Sequence, residues 1–236
     1  MTGLLLALQF LTRLPLPAVR ASDAAFARSM RWFPAAGLAV GAVVVAAAWA
    51  GGRIDPWVGA LAATAAWVAI TGGLHLDGLA DLADARGAAH GDRSRFLAVL
   101  ADPHVGSFAV MAVALQLAAK LVLVHAIGGA PAVLLLVPAA ARIGPLAWTR
   151  WLPPLHAGLG ARFARVVRPV DLAAWALALA LAAWAVPALL VAPVAIALWG
   201  WWLRRAVGGV SGDCHGAGIE LVETAVLLAS AALGGR

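Results

Sequence analysis

The sequence predicts an all-α, polytopic integral membrane protein: about seven transmembrane helices behind a short N-terminal helix that is amphipathic or partly inserted. Three observations predict it. Of the 236 residues, 64% are hydrophobic and 12% charged, with a mean hydropathy of +0.93, whereas soluble domains are about 25% charged. Long apolar stretches follow one another without strand-like alternation, and a helix of about 20 such residues crosses a bilayer. The arginines are shared very unequally between alternate connecting segments.

The start, MTGLLLALQFLTRLPLP, has neither a basic leader nor a small-residue cleavage site, so it reads as a first helix closing at Pro15 and not as a signal peptide. Six apolar stretches follow. Residues 33–51 are uncharged, 57–76 carry only His75, and 105–127 carry Gln116, Lys120 and His125. Residues 130–148 carry Arg142, 172–203 carry no ionisable group, and 219–235 close the chain. The stretch 172–203 is long for one crossing. Pro187 lacks an amide hydrogen and disfavours helix at the residue before it, so a turn at Ala185-Val186-Pro187 divides the stretch into two short helices. That makes seven crossings in a single membrane domain, residues 1–236.

The net charge of +6 does not indicate a nucleic-acid partner, because the arginines are scattered among apolar segments. Counted by segment, thirteen arginines fall in the odd connections and two in the even ones, Arg53 and Arg236. This is the positive-inside pattern of a multi-pass protein of the cytoplasmic (inner) membrane, with its N-terminus in the cytoplasm. Many of the eleven tryptophans lie near span ends, as an interfacial belt requires. Cys214 is the only cysteine, which excludes an internal disulfide and a zinc cluster.

Against this background, GGLHLDGLADLADA (72–85) is anomalous, since Asp77, Asp81 and Asp84 are three of only eleven acidic residues. On a helix their directions are about 0°, 40° and −20°, one narrow stripe. Like charges so placed repel. A divalent cation would offset them; the alternative is a solvated acidic face where a helix leaves the bilayer. Magnesium suits the first reading, since it takes oxygen ligands from one or two carboxylates plus substrate phosphates. Gly72, Gly73 and Gly78 would let the backbone bend or a phosphate approach.

A second acidic segment is GGVSGDCHGAGIELVE (208–223). Ser211 or Asp213 can cap a helix. Glu220 and Glu223 follow at i, i+3; they either answer the helix dipole or join the site, and a charge deep in an apolar helix costs on the order of 3 kcal/mol. In LADPHVGSF (100–108), Asp102-Pro103 reads as a turn or a helix start, with Pro103 at the first helical position. Asp102 either caps or binds metal there, and His104 is a phosphate contact, a proton relay or a plain interfacial residue. Lys120 and Arg142 are cations within spans, paired with carboxylates or reaching an anionic substrate.

These motifs resemble those of the cobalamin synthase (adenosylcobinamide-GDP ribazoletransferase) family over essentially the whole chain. FLTRLPLP (10–17) resembles its N-terminal motif, GGLHLDGLADLADA its GGxHLDGLADxxDG segment, DPHVGSF its DSRxGSxG segment, and GGVSGDCHGAGIELVE its GGxTGDxxGAxxELxE segment. The chain departs at Ala85, at Pro103-His104 in place of Ser-Arg, and at His215, where an apolar residue is usual. The resemblance implies a single catalytic domain that transfers the adenosylcobinamide phosphate moiety from adenosylcobinamide-GDP to α-ribazole or its 5′-phosphate. The ribazole 5′-hydroxyl would attack the pyrophosphate with Mg2+, releasing GMP. It implies Asp77, Asp81 and Asp84 as metal ligands, and Asp102, Asp213, Glu220 and Glu223 as further catalytic carboxylates. Arg13, Gly73, His75, Gly78, His104, Gly106, Lys120, Arg142 and Gly212 would contact substrate. The implied partners are these small molecules and the lipid bilayer, with self-association into a homo-oligomer left open.

Two other classes compete. A CDP-alcohol phosphotransferase also uses membrane-embedded aspartates, but DGLADLAD has Asp81 where that motif needs Ala-Arg, and no GxxxDxxxD follows. An ion or solute transporter would place its carboxylates near the bilayer midplane, often in paired repeats; here they cluster at span ends without a repeat.

Overall fold

The structure is a computed structural model that describes residues 2–155, 159–163 and 166–234. The described residues form helices joined by turns and irregular segments, with one isolated bridge between Pro154 and Val210 and no strand. The helices are α1 (Thr2–Leu11), α2 (Asp23–Arg28), α3 (Phe33–Gly52), α4 (Pro56–Thr71), α5 (Leu74–Ala89), α6 (Arg93–Leu100) and α7 (Ser107–Ala126). They continue as α8 (Pro131–Ala141), α9 (Ile143–Trp151), α10 (Leu159–Phe163), α11 (Pro169–Ala182), α12 (Val191–Trp202) and α13 (Gly212–Ala232).

Among the described residues, four helical segments are long and apolar enough to cross a membrane: Asp23–Gly52, Ser107–Ala126, Pro131–Trp151 and Pro187–Val207. The pair α4 and α5 would be a fifth, but it bends by 85°. Seven crossings need in addition α11, which has only 14 residues, and α13, whose carboxylates lower its hydropathy. The break expected near Pro187 is present: α11 ends at Ala182, and a short 3-10 turn, Pro187–Leu190, leads into α12. Exposed tryptophans sit near helix ends, Trp49 in α3, Trp57 in α4 and Trp201 in α12, while Trp67 and Trp148 are buried in the core.

The stretch 57–76 is not one span, which corrects the sequence reading. Gly72 and Gly73 both adopt left-handed backbone, with φ of 62° and 73°. Their amides close α4 on Ala69 and Val68, a glycine-based C-terminal cap. His75 and the aspartates therefore belong to a separate helix, α5, that turns away from the span. Likewise, α13 begins at Gly212, seven residues before the apolar run 219–235, because Ser211 caps it by accepting from the Cys214 amide at 3.2 Å.

Close helix contacts rest on glycine, as is usual where lipid supplies no hydrophobic driving force. A β-carbon at Gly37 would lie 2.5 Å from the Pro138 carbonyl oxygen, and one at Gly41 would overlap the Leu135 backbone. Helices α3 and α8 thus meet backbone to backbone. We expect Gly41→Val to lower stability by about 2 kcal/mol, read as a reduced melting temperature in detergent. An unchanged melting temperature would contradict this packing.

Candidate active site

Helices α5 and α13 meet in the same way. A β-carbon at Gly78 would lie 2.8 Å from both the Cα and the carbonyl oxygen of Asp213, and one at Gly216 would lie 3.2 Å from the Cα of His75. The close approach expected of Gly78 is therefore made to the Asp213 backbone and not to a phosphate. It sets Asp77 and Asp81, one turn apart on α5, beside Asp213. Asp77 and Asp213 line one cavity of about 110 Å3, together with His75, Gly212 and His215. Asp77 also borders a larger, more open hollow of about 750 Å3, with Arg13, Gly72 and Gly73. Arg13 is anchored by its amide on the Ile70 carbonyl at 2.7 Å, and its side chain lies against Gly72.

Helix α5 turns away from α4 by 85°, and the Asp81 carboxyl is pushed up to about 6 by partial burial and then by the charges of Asp77, Asp213 and Asp84. The carboxylates repel one another, the condition a bound cation relieves. Among the described residues no group of three His, Cys, Asp or Glu side chains is placed to hold a metal ion by itself. A magnesium ion that takes one or two carboxylate oxygens and is completed by phosphate would need only part of this acidic set.

Asp84 departs from the stripe that the sequence suggested. It is buried and accepts hydrogen bonds from the Gly106 amide at 2.5 Å and the Ala109 amide at 2.9 Å, so it holds the N-terminus of α7 against α5. A β-carbon at Gly106 would fall 2.7 Å from Asp84 Oδ1, which explains the glycine there. Asp102 forms a local turn, accepting from the His104 amide at 3.0 Å and pairing with His104 Nδ1 at 2.6 Å. Its carboxyl is held below the usual range by these contacts. Pro103 is not the first residue of a helix; α7 starts at Ser107.

Glu220, Glu223, Lys120 and Arg142 form a buried network on α13, α7 and the α8–α9 junction. Lys120 Nζ lies 2.7 Å from Glu220 Oε2 and 2.6 Å from Glu223 Oε2, and Arg142 donates to Glu223 Oε1 at 3.0 Å. Gln116 donates to Glu220 Oε2 at 2.8 Å and to Thr224 Oγ1 at 2.8 Å. Lys120 Nζ also sits 4.6 Å from the centre of the Trp67 ring. Of the two sequence readings for Lys120 and Arg142, pairing with carboxylates is the one found, and it engages Glu220 and Glu223, which the resemblance implied as catalytic carboxylates. Each charge is spent on another, because an unpaired charge is too costly in an apolar interior. None of the four lines the two cavities at Asp77. Gln116, Trp67 and Thr224 were missed as members; a polar Gln116 inside an apolar helix was the available signal.

Fold and site together define a polytopic membrane enzyme with an acidic, glycine-bordered pocket where α5 meets α13. The family model described as cobalamin-5-phosphate synthase (CobS) matches residues 3–231, and the chain belongs to that family. An adenosylcobinamide-GDP ribazoletransferase of Novosphingobium aromaticivorans is 64% identical over 99% of this chain and 98% of its own length. A protein of the same name from Thiobacillus denitrificans is 54% identical over 97% of this chain and 94% of its own. One from Pseudomonas aeruginosa is 37% identical over 97% of each chain. No solved structure matches. This membership favours the first of the three sequence readings over the CDP-alcohol phosphotransferase and the transporter.

Replacing Glu223 by Gln removes one anion shared by two buried cations. We expect a loss of about 3 kcal/mol of stability, read as early thermal unfolding in detergent. Wild-type stability would show that the network is not load-sharing.

Proposed function

We propose that this protein transfers the adenosylcobinamide phosphate moiety from adenosylcobinamide-GDP to α-ribazole or its 5′-phosphate, releasing GMP. An acceptor oxygen forms a bond to the cobinamide-side phosphorus as the bond from that phosphorus to GMP breaks. The family description names a 5-phosphate product. An acceptor that keeps a 5′-phosphate has no free 5′-hydroxyl, so the attacking oxygen is a secondary hydroxyl of the ribose. The 5′-hydroxyl of the sequence reading is replaced accordingly.

The observation that carries this reading is the contact of Gly78 with the Asp213 backbone, which joins two acidic motifs far apart in the chain. Displacement at phosphorus needs positioning and charge neutralisation more than covalent chemistry. Asp77, Asp81 and Asp213 would hold magnesium together with the pyrophosphate. Magnesium bound there supplies positive charge to the phosphoryl oxygens. Arg13, in the open hollow beside Asp77, is placed to meet the pyrophosphate, and Gly73 leaves its backbone open there, with no atom within 4 Å of where a β-carbon would be. Asp84 acts through the α5–α7 contact. The arginine bias supports a cytoplasmic N-terminus and a site facing the cytoplasm, in the cytoplasmic membrane.

Purified protein given adenosylcobinamide-GDP, α-ribazole and magnesium is expected to form GMP. Asp81→Asn should lower kcat by about 100-fold while inserting normally. Full magnesium-dependent turnover by that variant would contradict the assignment.

A further inference from the structure

The 110 Å3 cavity at Asp77 has a second character that the acidic motifs do not explain. Its wall includes Phe10, Phe33 and Phe163, whose ring centroids lie 5.8 Å (Phe10–Phe33), 6.1 Å (Phe10–Phe163) and 5.6 Å (Phe33–Phe163) apart. Phe26 completes the cluster against Phe10 at 5.3 Å. Four of the chain's six phenylalanines are thus gathered at one place in a protein otherwise packed with alanine, valine and leucine.

Two imidazoles interrupt this apolar wall. His75 and His215 line the cavity and are 3% and 7% exposed. Each has a buried ring nitrogen with no hydrogen-bond partner, Nε2 of His75 and Nδ1 of His215. Their other nitrogens are engaged: His75 Nδ1 is 3.4 Å from Arg142 NH2, and His215 Nε2 is 3.3 Å from Thr149 Oγ1. A guanidinium only donates. Nδ1 of neutral His75 is therefore the acceptor and Nε2 carries the hydrogen. The Glu223–Arg142 pair thereby leaves a buried, unpartnered N–H donor on a residue that lines the cavity, and such a donor is costly unless something accepts from it.

We propose that this cavity seats the aromatic base of the acceptor nucleoside, with His75 making its polar contact and His215 lining the same wall; this rests on the transfer reaction proposed above. The volume of about 110 Å3 is on the scale of a single aromatic ring, so one of the two fused rings of the base enters and the other stays at the mouth with the ribose, where Asp77 and Asp213 are. The donor's guanine is the competing aromatic group. Its edge carries several donors and acceptors that must all be matched, and phenylalanine walls leave them unpaired. The base of α-ribazole, a benzimidazole, has apolar edges and one free imine nitrogen, which suits a single N–H donor. His75 is thus a substrate contact, and Arg142 and Glu223 are positioning residues that act through it. His215, polar where the resembled family is usually apolar, tunes the same seat.

The test uses full-length protein in nanodiscs, with α-ribazole and adenosylcobinamide-GDP varied separately and GMP as readout. Equilibrium dialysis of α-ribazole alone runs in parallel. For His215→Leu and for Phe33→Leu, KM for α-ribazole should rise about tenfold, the loss of roughly one good contact. KM for the donor should stay within about twofold, and Asp81→Asn should retain α-ribazole in dialysis as the wild type does. Unchanged acceptor KM and binding in both variants, or a rise in donor KM instead, would overturn the seat while leaving the transfer reaction standing. Wild-type protein that binds α-ribazole with this variant dependence but forms no GMP would overturn the reaction and leave the seat.

Discussion

The contact on which the structure depends is the backbone approach of α5 to α13. Gly78 lies against Asp213 and Gly216 against His75, with no side chain between the helices at either point. Any larger residue at these glycines would separate the two acidic motifs. Their union forms the acidic pocket in which the proposed magnesium site lies. The hinge at Gly72 and Gly73 serves the same end: by ending α4 and turning the chain through 85°, it lays α5 across the start of α13.

Bringing carboxylates into an apolar bundle has an electrostatic consequence, and the molecule answers it in two ways. Deep in the bundle, Glu220 and Glu223 are balanced by Lys120 and Arg142 in direct ion pairs, giving a neutral, rigid layer. Near the helix starts, Asp77, Asp81 and Asp213 gather where α5 meets α13, and partial burial, followed by the charges of its neighbours, raises Asp81. The first arrangement is closed and supports the fold. The second borders open cavities, and in the proposed function it would meet magnesium arriving with phosphate. Through Arg142 the closed layer touches the open one at His75.

Much of this was legible in the sequence. The apolar runs became helices, the break before Pro187 is real, and the helical stripe of Asp77 and Asp81 is real, because hydropathy and periodicity are local properties. The turn at Gly72 was not read as a break, since a run of apolar residues conceals a change of direction made by left-handed glycines. Asp84 was grouped with the other aspartates because spacing reports a shared face and not a partner; only the fold shows that the Gly106 and Ala109 amides claim it. Lys120 and Arg142 were recognised as buried cations, but whether they face substrate or carboxylate depends on which helices are neighbours. The phenylalanine cluster draws on α1, α2, α3 and α10, and nothing in their separate sequences announces it.

The central claim is that oxygens from α5 and α13 share one divalent cation. Manganese, another hard ion taken by carboxylate sites, can report on it by electron paramagnetic resonance, with purified full-length protein and inorganic pyrophosphate present. The account predicts that Asp77→Asn and Asp213→Asn each weaken manganese binding by about tenfold or more, one coordinating charge apiece. Binding in Asp213→Asn as tight as in the wild type would contradict it.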